Sequence, residues 1–233
     1  MEHEYIYNLA RKIDISAVRT DVTLEELSRL AETARKYRFI CAFAMPCFTR
    51  RLIELLKDTP EVAVGGVVGF PSGAETTATK VHIANEMKEL GCGELDMVIN
   101  VGALKSGEYG LVRDDIRAVV NAAEGLPVKS IVEVCYLTDE EIANASKIAV
   151  EAGVTYVKTG TGWGPKPTTV DTIRIIRNAI GGAAKIKAAG GVRDLDTLLA
   201  MIDAGCDRFG ISAGSCIKIM EEAERREPPK SLA

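Results

Sequence analysis

The stretch Thr155-Tyr-Val-Lys158-Thr-Gly-Thr-Gly-Trp-Gly164 places a lysine at the end of a short apolar run and follows it with a glycine-rich turn. Residues 154–157 predict a buried parallel strand, and the alanine-rich segment 140–152 predicts a helix that ends at Gly153. In a barrel of alternating strands and helices, chemistry takes place at the carboxyl ends of the strands. Lys158 occupies such a position.

A second lysine follows the same pattern on the next predicted strand, in Ala184-Lys-Ile-Lys187-Ala-Ala-Gly190-Gly191. Because adjacent parallel strands lie about 4.8 Å apart, the amines of Lys158 and Lys187 approach each other if both point inward. Two like charges in a partly dry site disfavour the charged form, and a lysine pKa lowered by roughly 3 units from about 10.4 raises the neutral fraction about a thousandfold. A neutral amine forms a Schiff base with a carbonyl. The alternative interpretation is a pair of solvated lysines at strand ends.

The rest of the chain repeats a unit of one strand and one helix. The predicted strands are 12–17, 39–44, 62–70, 94–100, 128–134, 154–157, 184–187 and 207–212. Eight near-equal units without a break in composition favour closure into a parallel α/β structure, a (β/α)8 TIM barrel, over an open doubly wound sheet. We therefore expect residues 1–233 to form a single domain, with a short N-terminal helix at about 4–11 and a tail at about 226–233.

Composition and charge limit the possible partners. The 233 residues carry a formal net charge of −4 with both signs interspersed, so there is no basic stripe for nucleic acid and no polybasic patch for a membrane. The six cysteines show no paired metal spacing, and the start of the chain has no cationic region before an apolar segment. These features predict a cytoplasmic protein with a small-molecule partner.

Two further patterns indicate functional groups. Asp96 lies within an apolar strand, where an unpaired carboxylate costs several kcal/mol, so it must have a partner. The turns Gly190-Gly191 and Gly210-Ile-Ser212-Ala-Gly214-Ser215 lie where this fold often binds phosphate, although such glycines also serve tight turns alone. Glu133 ends the fifth predicted strand and either pairs with a lysine or tunes Lys158.

Longer motifs carry a resemblance to a known family. They are Gly69-Phe-Pro-Ser-Gly-Ala-Glu-Thr-Thr77, Glu94-Leu-Asp-Met-Val-Ile-Asn-Val-Gly-Ala-Leu-Lys-Ser-Gly107, Val157-Lys-Thr-Gly-Thr-Gly162 and Lys187-Ala-Ala-Gly-Gly-Val-Arg193. With these motifs the chain resembles the deoxyribose-phosphate aldolases, a family of class I, metal-independent lyases, over most of its length.

The resemblance implies a reaction and a set of roles. The reaction is the reversible cleavage of 2-deoxy-D-ribose 5-phosphate to D-glyceraldehyde 3-phosphate and acetaldehyde, in deoxyribonucleotide catabolism and carbohydrate degradation. It implies no metal, no cofactor and a homodimer. Lys158 resembles the Schiff-base lysine, and Lys187 and Asp96 resemble the residues that lower its pKa and relay protons. The residues expected to hold substrate and phosphate are Thr161, Gly190, Gly191, Ser212 and Ala213.

Two departures from the family pattern leave the substrate open. The segment Trp163-Gly-Pro-Lys-Pro167 differs in composition from the usual loop, with Trp163 either a lid or simple packing, and Ala213 stands where a second serine is common. A related imine-forming aldolase with a different or unphosphorylated acceptor aldehyde is therefore one alternative. A non-catalytic sugar-phosphate-binding barrel is another, against which Lys158, Lys187 and Asp96 argue.

Overall fold

The eight predicted strands close into a parallel barrel in the order β1 to β8, which confirms the (β/α)8 TIM barrel. The computed structural model describes residues 2–226, with side chains from residue 4 onward. The strands are β1 Ile13–Ala17, β2 Cys41–Ala44, β3 Ala63–Val68, β4 Glu94–Val98, β5 Val128–Ile131, β6 Tyr156–Lys158, β7 Lys185–Ala189 and β8 Arg208–Ser212.

Helices surround the barrel. They are α1 Glu2–Ala10, α2 Leu24–Tyr37, α3 Pro46–Leu56, α4 Thr77–Leu90, α5 Val101–Lys105, α6 Tyr109–Ala122, α7 Asp139–Glu151, α8 Val170–Ile180, α9 Leu195–Asp203 and α10 Ala213–Ala223. Helix α1 starts two residues before the expected helix at about 4–11. The expected tail at about 226–233 lies, apart from residue 226, outside the described residues. In the described range, every helix is too short or too polar to cross a membrane.

Local sequence signals set several helix ends. At the start of α2, Thr23 accepts from the Glu26 amide, and the Glu26 carboxylate accepts from the Thr23 amide, so two otherwise unpaired donors are satisfied. After α7, Gly153 takes a φ of 94°, a left-handed conformation that costs glycine little. Helix α3 begins at Pro46, because a proline at the first helical position lacks only an N–H that would have no partner in the helix.

Alternation along the strands separates the apolar core from the barrel interior. In β4, Leu95 and Met97 belong to the apolar core, whereas Asp96 between them lines the central cavity. The register pairs Lys158 with Lys187 across β6 and β7, so these two side chains lie side by side on one face of the barrel wall. Strand pairing thus brings the two lysines together, although 28 other residues separate them in sequence.

Candidate active site

Lys158 and Lys187 converge on one carboxylate. The Nζ of Lys158 donates to Asp96 Oδ2 at 2.8 Å, and the Nζ of Lys187 donates to the same oxygen at 2.6 Å. All three side chains are buried. The structure therefore brings the three residues that we expected to be catalytic to a single point, and it supplies the partner that buried Asp96 requires.

Lys187 also binds a second carboxylate that sequence reasoning missed. Its Nζ lies 2.6 Å from Asp14 Oδ2 on β1, and Asp14 Oδ1 accepts from the Nε of Arg208 at 2.6 Å. The ring of Phe43 lies against Lys187, with the nitrogen 4.4 Å from the ring centroid. Lys187 is thus held between two carboxylates and an aromatic face.

Toward the amino ends of the strands, further ion pairs connect residues of β4, β5 and β8. The Nη2 of Arg208 donates to Glu94 Oε1 at 2.6 Å, and the Nζ of Lys129 lies 2.6 Å from the same oxygen. Lys129 is also 3.0 Å from Asp96 Oδ1, an ion pair rather than an aligned hydrogen bond. The buried charges form one connected network that extends to the amino ends of the strands, where Glu94 and Arg208 begin β4 and β8.

The charges in this network do not balance. Its members are the carboxylates of Asp14, Glu94 and Asp96 and the basic groups of Lys129, Lys158, Lys187 and Arg208. If every group were ionised, the network would carry one excess positive charge in a buried site. Loss of one proton removes that excess.

Lys158 is the group that releases a proton most easily. Burial is the main cause that lowers its pKa to about 8, and the nearby charges of Lys187 and Lys129 act in the same direction, while the Asp96 carboxylate opposes them. The three lysines outweigh the effect of burial on Asp96 and hold the pKa of that carboxyl well below its usual range. At pH 7 about one Lys158 amine in ten is therefore neutral, beside an ionised carboxylate.

Small residues make room for these long side chains. A Cβ on Gly65 of β3 would lie 2.2 Å from the ring of Phe43, and a Cβ on Gly210 of β8 would lie 3.1 Å from Lys187 Cε. Both glycines face the barrel interior, where the ring and the lysine stem occupy the space of their missing side chains. A sequence signal for the residues that were missed was available, since each is a charged residue in a short strand that is mostly apolar. They are Asp14, Glu94, Lys129 and Arg208.

A cavity of about 700 Å³ opens above the lysines, and its walls include every residue that we expected to hold substrate and phosphate. These residues are Thr161, Gly190, Gly191, Ser212 and Ala213. Ser212 precedes α10, and its hydroxyl donates to the Ser215 hydroxyl at 3.2 Å instead of capping the helix. Residues 212–215 line the cavity, so the amino end of α10 faces it with the partial positive charge that favours an anion there.

Trp163 closes one side of the cavity mouth. Its indole Nε1 donates to the carbonyl of Val18 at 2.9 Å, and its ring meets Phe70 edge to face, with centroids 6.2 Å apart. The side chain is 46% exposed and lines the cavity. These contacts join the turns that follow β1, β3 and β6, so Trp163 is part of the cavity wall.

A buried group of ligand-type atoms is chemically unsuited to a metal ion. The Asp14, Cys41 and Glu94 atoms lie within 4.8 Å of one another. Both carboxylates are already paired with Arg208, and burial raises the pKa of the Cys41 thiol well above its usual range. A protonated thiol beside cation-bound carboxylates does not bind a metal ion well.

The sequence is similar to those of known aldolases over most of its length. The sequence model of the DeoC/LacD family aldolases matches residues 12–215. The deoxyribose-phosphate aldolase of Klebsiella pneumoniae subsp. pneumoniae is 44% identical over 225 residues, which cover 96% of this chain and 90% of the relative. That of Sinorhizobium medicae is 47% identical over 215 residues, 92% of this chain and 87% of the relative.

A solved structure shows the same likeness in three dimensions. The deoxyribose phosphate aldolase from Aeropyrum pernix, described as a tetramer, superposes with a TM-score of 0.85 at 27% identity. The alignment covers 93% of this chain and 91% of that one. The family model, which spans residues 12–215, includes all eight strands and every residue of the buried charge network.

Proposed function

The chain belongs to the DeoC/LacD family of aldolases, and we propose that it catalyses the reversible cleavage of 2-deoxy-D-ribose 5-phosphate to D-glyceraldehyde 3-phosphate and acetaldehyde, as a carbon–carbon lyase of class I. The observation that carries the proposal is the shared oxygen of Asp96, which holds Lys158 and Lys187 side by side at 2.8 and 2.6 Å. A buried amine whose pKa is about 8 is what an imine-forming enzyme needs.

The first step is addition of Lys158 to the aldehyde carbon of the open-chain sugar. The neutral amine attacks C1, the carbonyl oxygen takes up a proton, and loss of water leaves an iminium ion between C1 and Nζ. Lys187, held between Asp14 and Asp96, is the charged neighbour that supplies the proton for the departing water. Asp96 keeps both amines at the reacting carbon.

The second step breaks the bond between C2 and C3, because acetaldehyde retains C1 and C2 of the sugar. The C3 hydroxyl loses its proton to Asp96 or to a water held by it, a C3 carbonyl forms, and the bonding electrons move into the C1–C2 enamine. Glyceraldehyde 3-phosphate leaves. Protonation of the enamine at C2 and hydrolysis of the iminium release acetaldehyde and restore the amine of Lys158.

The phosphate of the substrate lies, in this proposal, against the glycine turn after β7 and the amino end of α10. Gly190 and Gly191 have φ values of 86° and 102°, so their backbone runs close to the cavity without a side chain between. The Ser212 hydroxyl and the backbone at Ala213 complete the site, and Thr161 lies in the turn whose Gly162 is next to Gly190. Backbone amides at a helix amino end are suited to a phosphate.

The setting of the enzyme is part of the proposal. We place it in the cytoplasm, in the breakdown of deoxyribonucleotide sugars, and we propose a homodimer in which residues 1–233 form one domain because all eight strands close one barrel. The Aeropyrum pernix relative is described as a tetramer, so light scattering during size-exclusion chromatography should decide the number of subunits.

Borohydride trapping tests the chemistry directly. The protein is incubated with acetaldehyde, reduced, digested and mapped by mass spectrometry, and we expect an ethyl adduct on Lys158. An unmodified Lys158 would exclude the imine mechanism. A second assay compares cleavage of 2-deoxyribose 5-phosphate with that of 2-deoxyribose; equal efficiency would favour the related aldolase that lacks a phosphate requirement.

A further inference from the structure

The carboxylate of Glu133 is a buried acidic group that the reaction above does not use. Strand β5 ends at Ile131 and not at residue 134 as its apolar sequence predicted. Glu133 itself has φ 57° and ψ 60°, the left-handed conformation that is uncommon for residues with a side chain. Its side chain is only 6% exposed and lies against the turn that follows Lys158.

Backbone rather than a cation is the main partner of this carboxylate. Its two oxygens accept from the backbone N–H of Thr161, at 3.3 and 3.2 Å, and the thiol of Cys135 donates to Oε1 at 3.6 Å. Between residues 4 and 226 no basic side chain lies within ion-pair distance of Glu133. A buried carboxylate whose principal contact is one amide points to a role in holding that amide in place.

The glycines of the turn fit closely around Glu133. A Cβ on Gly160 would lie 2.9 Å from Glu133 Oε1, and a Cβ on Gly164 would lie 2.1 Å from the sulfur of Cys135. The glycine spacing in Gly160-Thr-Gly162-Trp-Gly164, which does not match a nucleotide-binding motif, is thus explained by contact with the segment behind the turn.

The other side of the turn forms the cavity wall. Thr161 Oγ1 accepts from the Trp163 N–H at 3.0 Å, and the Trp163 indole reaches the Val18 carbonyl. Thr161, Gly162 and Trp163 line the cavity, whereas Glu133 does not. A continuous chain of hydrogen bonds therefore runs from the buried carboxylate to the mouth of the site.

We propose that Glu133 is a positioning residue, which fixes the turn 161–163 so that this wall of the cavity fits the phosphorylated end of the substrate. The inference rests on the proposed function. Glu133 acts through the turn and not on the reacting amine, which binds Asp96 on a different strand. Replacement of Glu133 should therefore weaken substrate binding and leave imine formation at Lys158 unchanged.

The test compares Glu133→Leu with Glu133→Gln. Because the turn 161–163 then loses the acceptor of the Thr161 N–H and moves from its place in the cavity wall, we expect Glu133→Leu to raise KM for 2-deoxyribose 5-phosphate by about tenfold or more. Borohydride trapping of acetaldehyde on Lys158 should stay within about twofold of wild type, because no contact of the amine changes. Glu133→Gln keeps an oxygen that accepts from Thr161 N–H, and its KM should stay within about threefold of wild type.

Fluorescence gives a second measurement, because Trp163 is the only tryptophan of the chain. Its emission should shift to longer wavelength in Glu133→Leu and not in Glu133→Gln, as the indole loses its fixed place beside Val18. If circular dichroism shows that Glu133→Leu is unfolded, Gly160→Ala replaces it, since the added Cβ pushes the turn away from the carboxylate. The same rise in KM with normal trapping is expected.

Three results would overturn the inference. They are a KM unchanged in the folded variant, a parallel loss of trapping and binding, and equal damage by leucine and glutamine. Absence of an adduct on Lys158 in the wild-type protein would instead reject the proposed function, so the two failures are distinguishable.

Discussion

Lys158 and Lys187 donate to the same oxygen of Asp96, but only Lys187 has a second carboxylate, Asp14, at 2.6 Å. The lysine with one shared partner is the one that gives up its proton, because burial lowers its pKa to about 8 and its charged neighbour Lys187 adds to that effect. This asymmetry supports the proposal that Lys158 is the nucleophile and Lys187 the acid.

The pH dependence of the reaction should report the pKa of Lys158. The amine is protonated and inactive below its pKa and neutral above it, so kcat/KM is expected to rise with pH and to reach half of its plateau near pH 8. Initial rates of 2-deoxyribose 5-phosphate cleavage between about pH 6 and about pH 10 measure this. An ordinary lysine has a pKa of about 10.4, so a rate that is still rising steeply at about pH 10 would contradict the assignment.

Replacement of Lys187 by leucine should leave three basic groups, Lys129, Lys158 and Arg208, paired with the three carboxylates of the buried network. That pairing favours the protonated amine and removes an acid, so turnover should fall by at least about a hundredfold and the half-point of the pH profile should rise. Lys185→Leu is the matched control, since Lys185 lies on the same strand with an exposed side chain. Near-normal turnover of Lys187→Leu would reject the paired-lysine account.

Replacement of Arg208 by leucine should destabilise the fold. It leaves Asp14 and Glu94 without a cation that each binds at 2.6 Å, and loss of one partner from a buried ion pair costs about 3–5 kcal/mol. Urea unfolding gives the free energy of unfolding. In the control Arg174→Leu, an exposed pair with Asp171 is lost, and about 1 kcal/mol or less is expected. Similar losses in both variants would show that the buried network adds no stability.

Replacement of Ser212 by alanine should weaken binding of the phosphate. A hydrogen bond to a charged group is worth about 1.5–3 kcal/mol, so KM for 2-deoxyribose 5-phosphate should rise by about tenfold to a hundredfold with little change in kcat. Kinetics with unphosphorylated 2-deoxyribose provide the control and should be unaffected. If KM rises equally for both sugars, Ser212 does not contact the phosphate.

Ala213→Ser, which adds a hydroxyl at the amino end of α10, should lower KM for the phosphorylated sugar.

Much of the fold could be predicted from local patterns. The Thr23 capping box and the helix-ending Gly153 act through residues a few positions away, so their effect is visible in sequence. The eight strand and helix units gave the barrel because their number and spacing suit closure. The short apolar segment before Glu133 was misread as continuing strand, since a left-handed turn at a glutamate has no local signal.

Most of the predicted residues of the candidate site stand next to glycine turns, and Asp96 was predicted because a carboxylate within an apolar strand needs a partner. Lys158, Lys187 and the phosphate-side glycines mark strand ends, which the chain itself displays. Asp14, Lys129 and Arg208 lie inside strands, and whether such a side chain faces the interior depends on the strand register and on closure of the sheet.

The sequence by itself therefore determined the barrel, the pair of lysines at strand ends and the buried carboxylate that must have a partner, because periodicity, helix caps and strand-end glycines are local properties. Only the tertiary structure decided which amine is neutral. That choice follows from burial and from an excess of one positive charge among groups on strands β1, β4, β5, β6, β7 and β8. Distances between those groups are set by closure of the barrel, and a linear chain does not contain them.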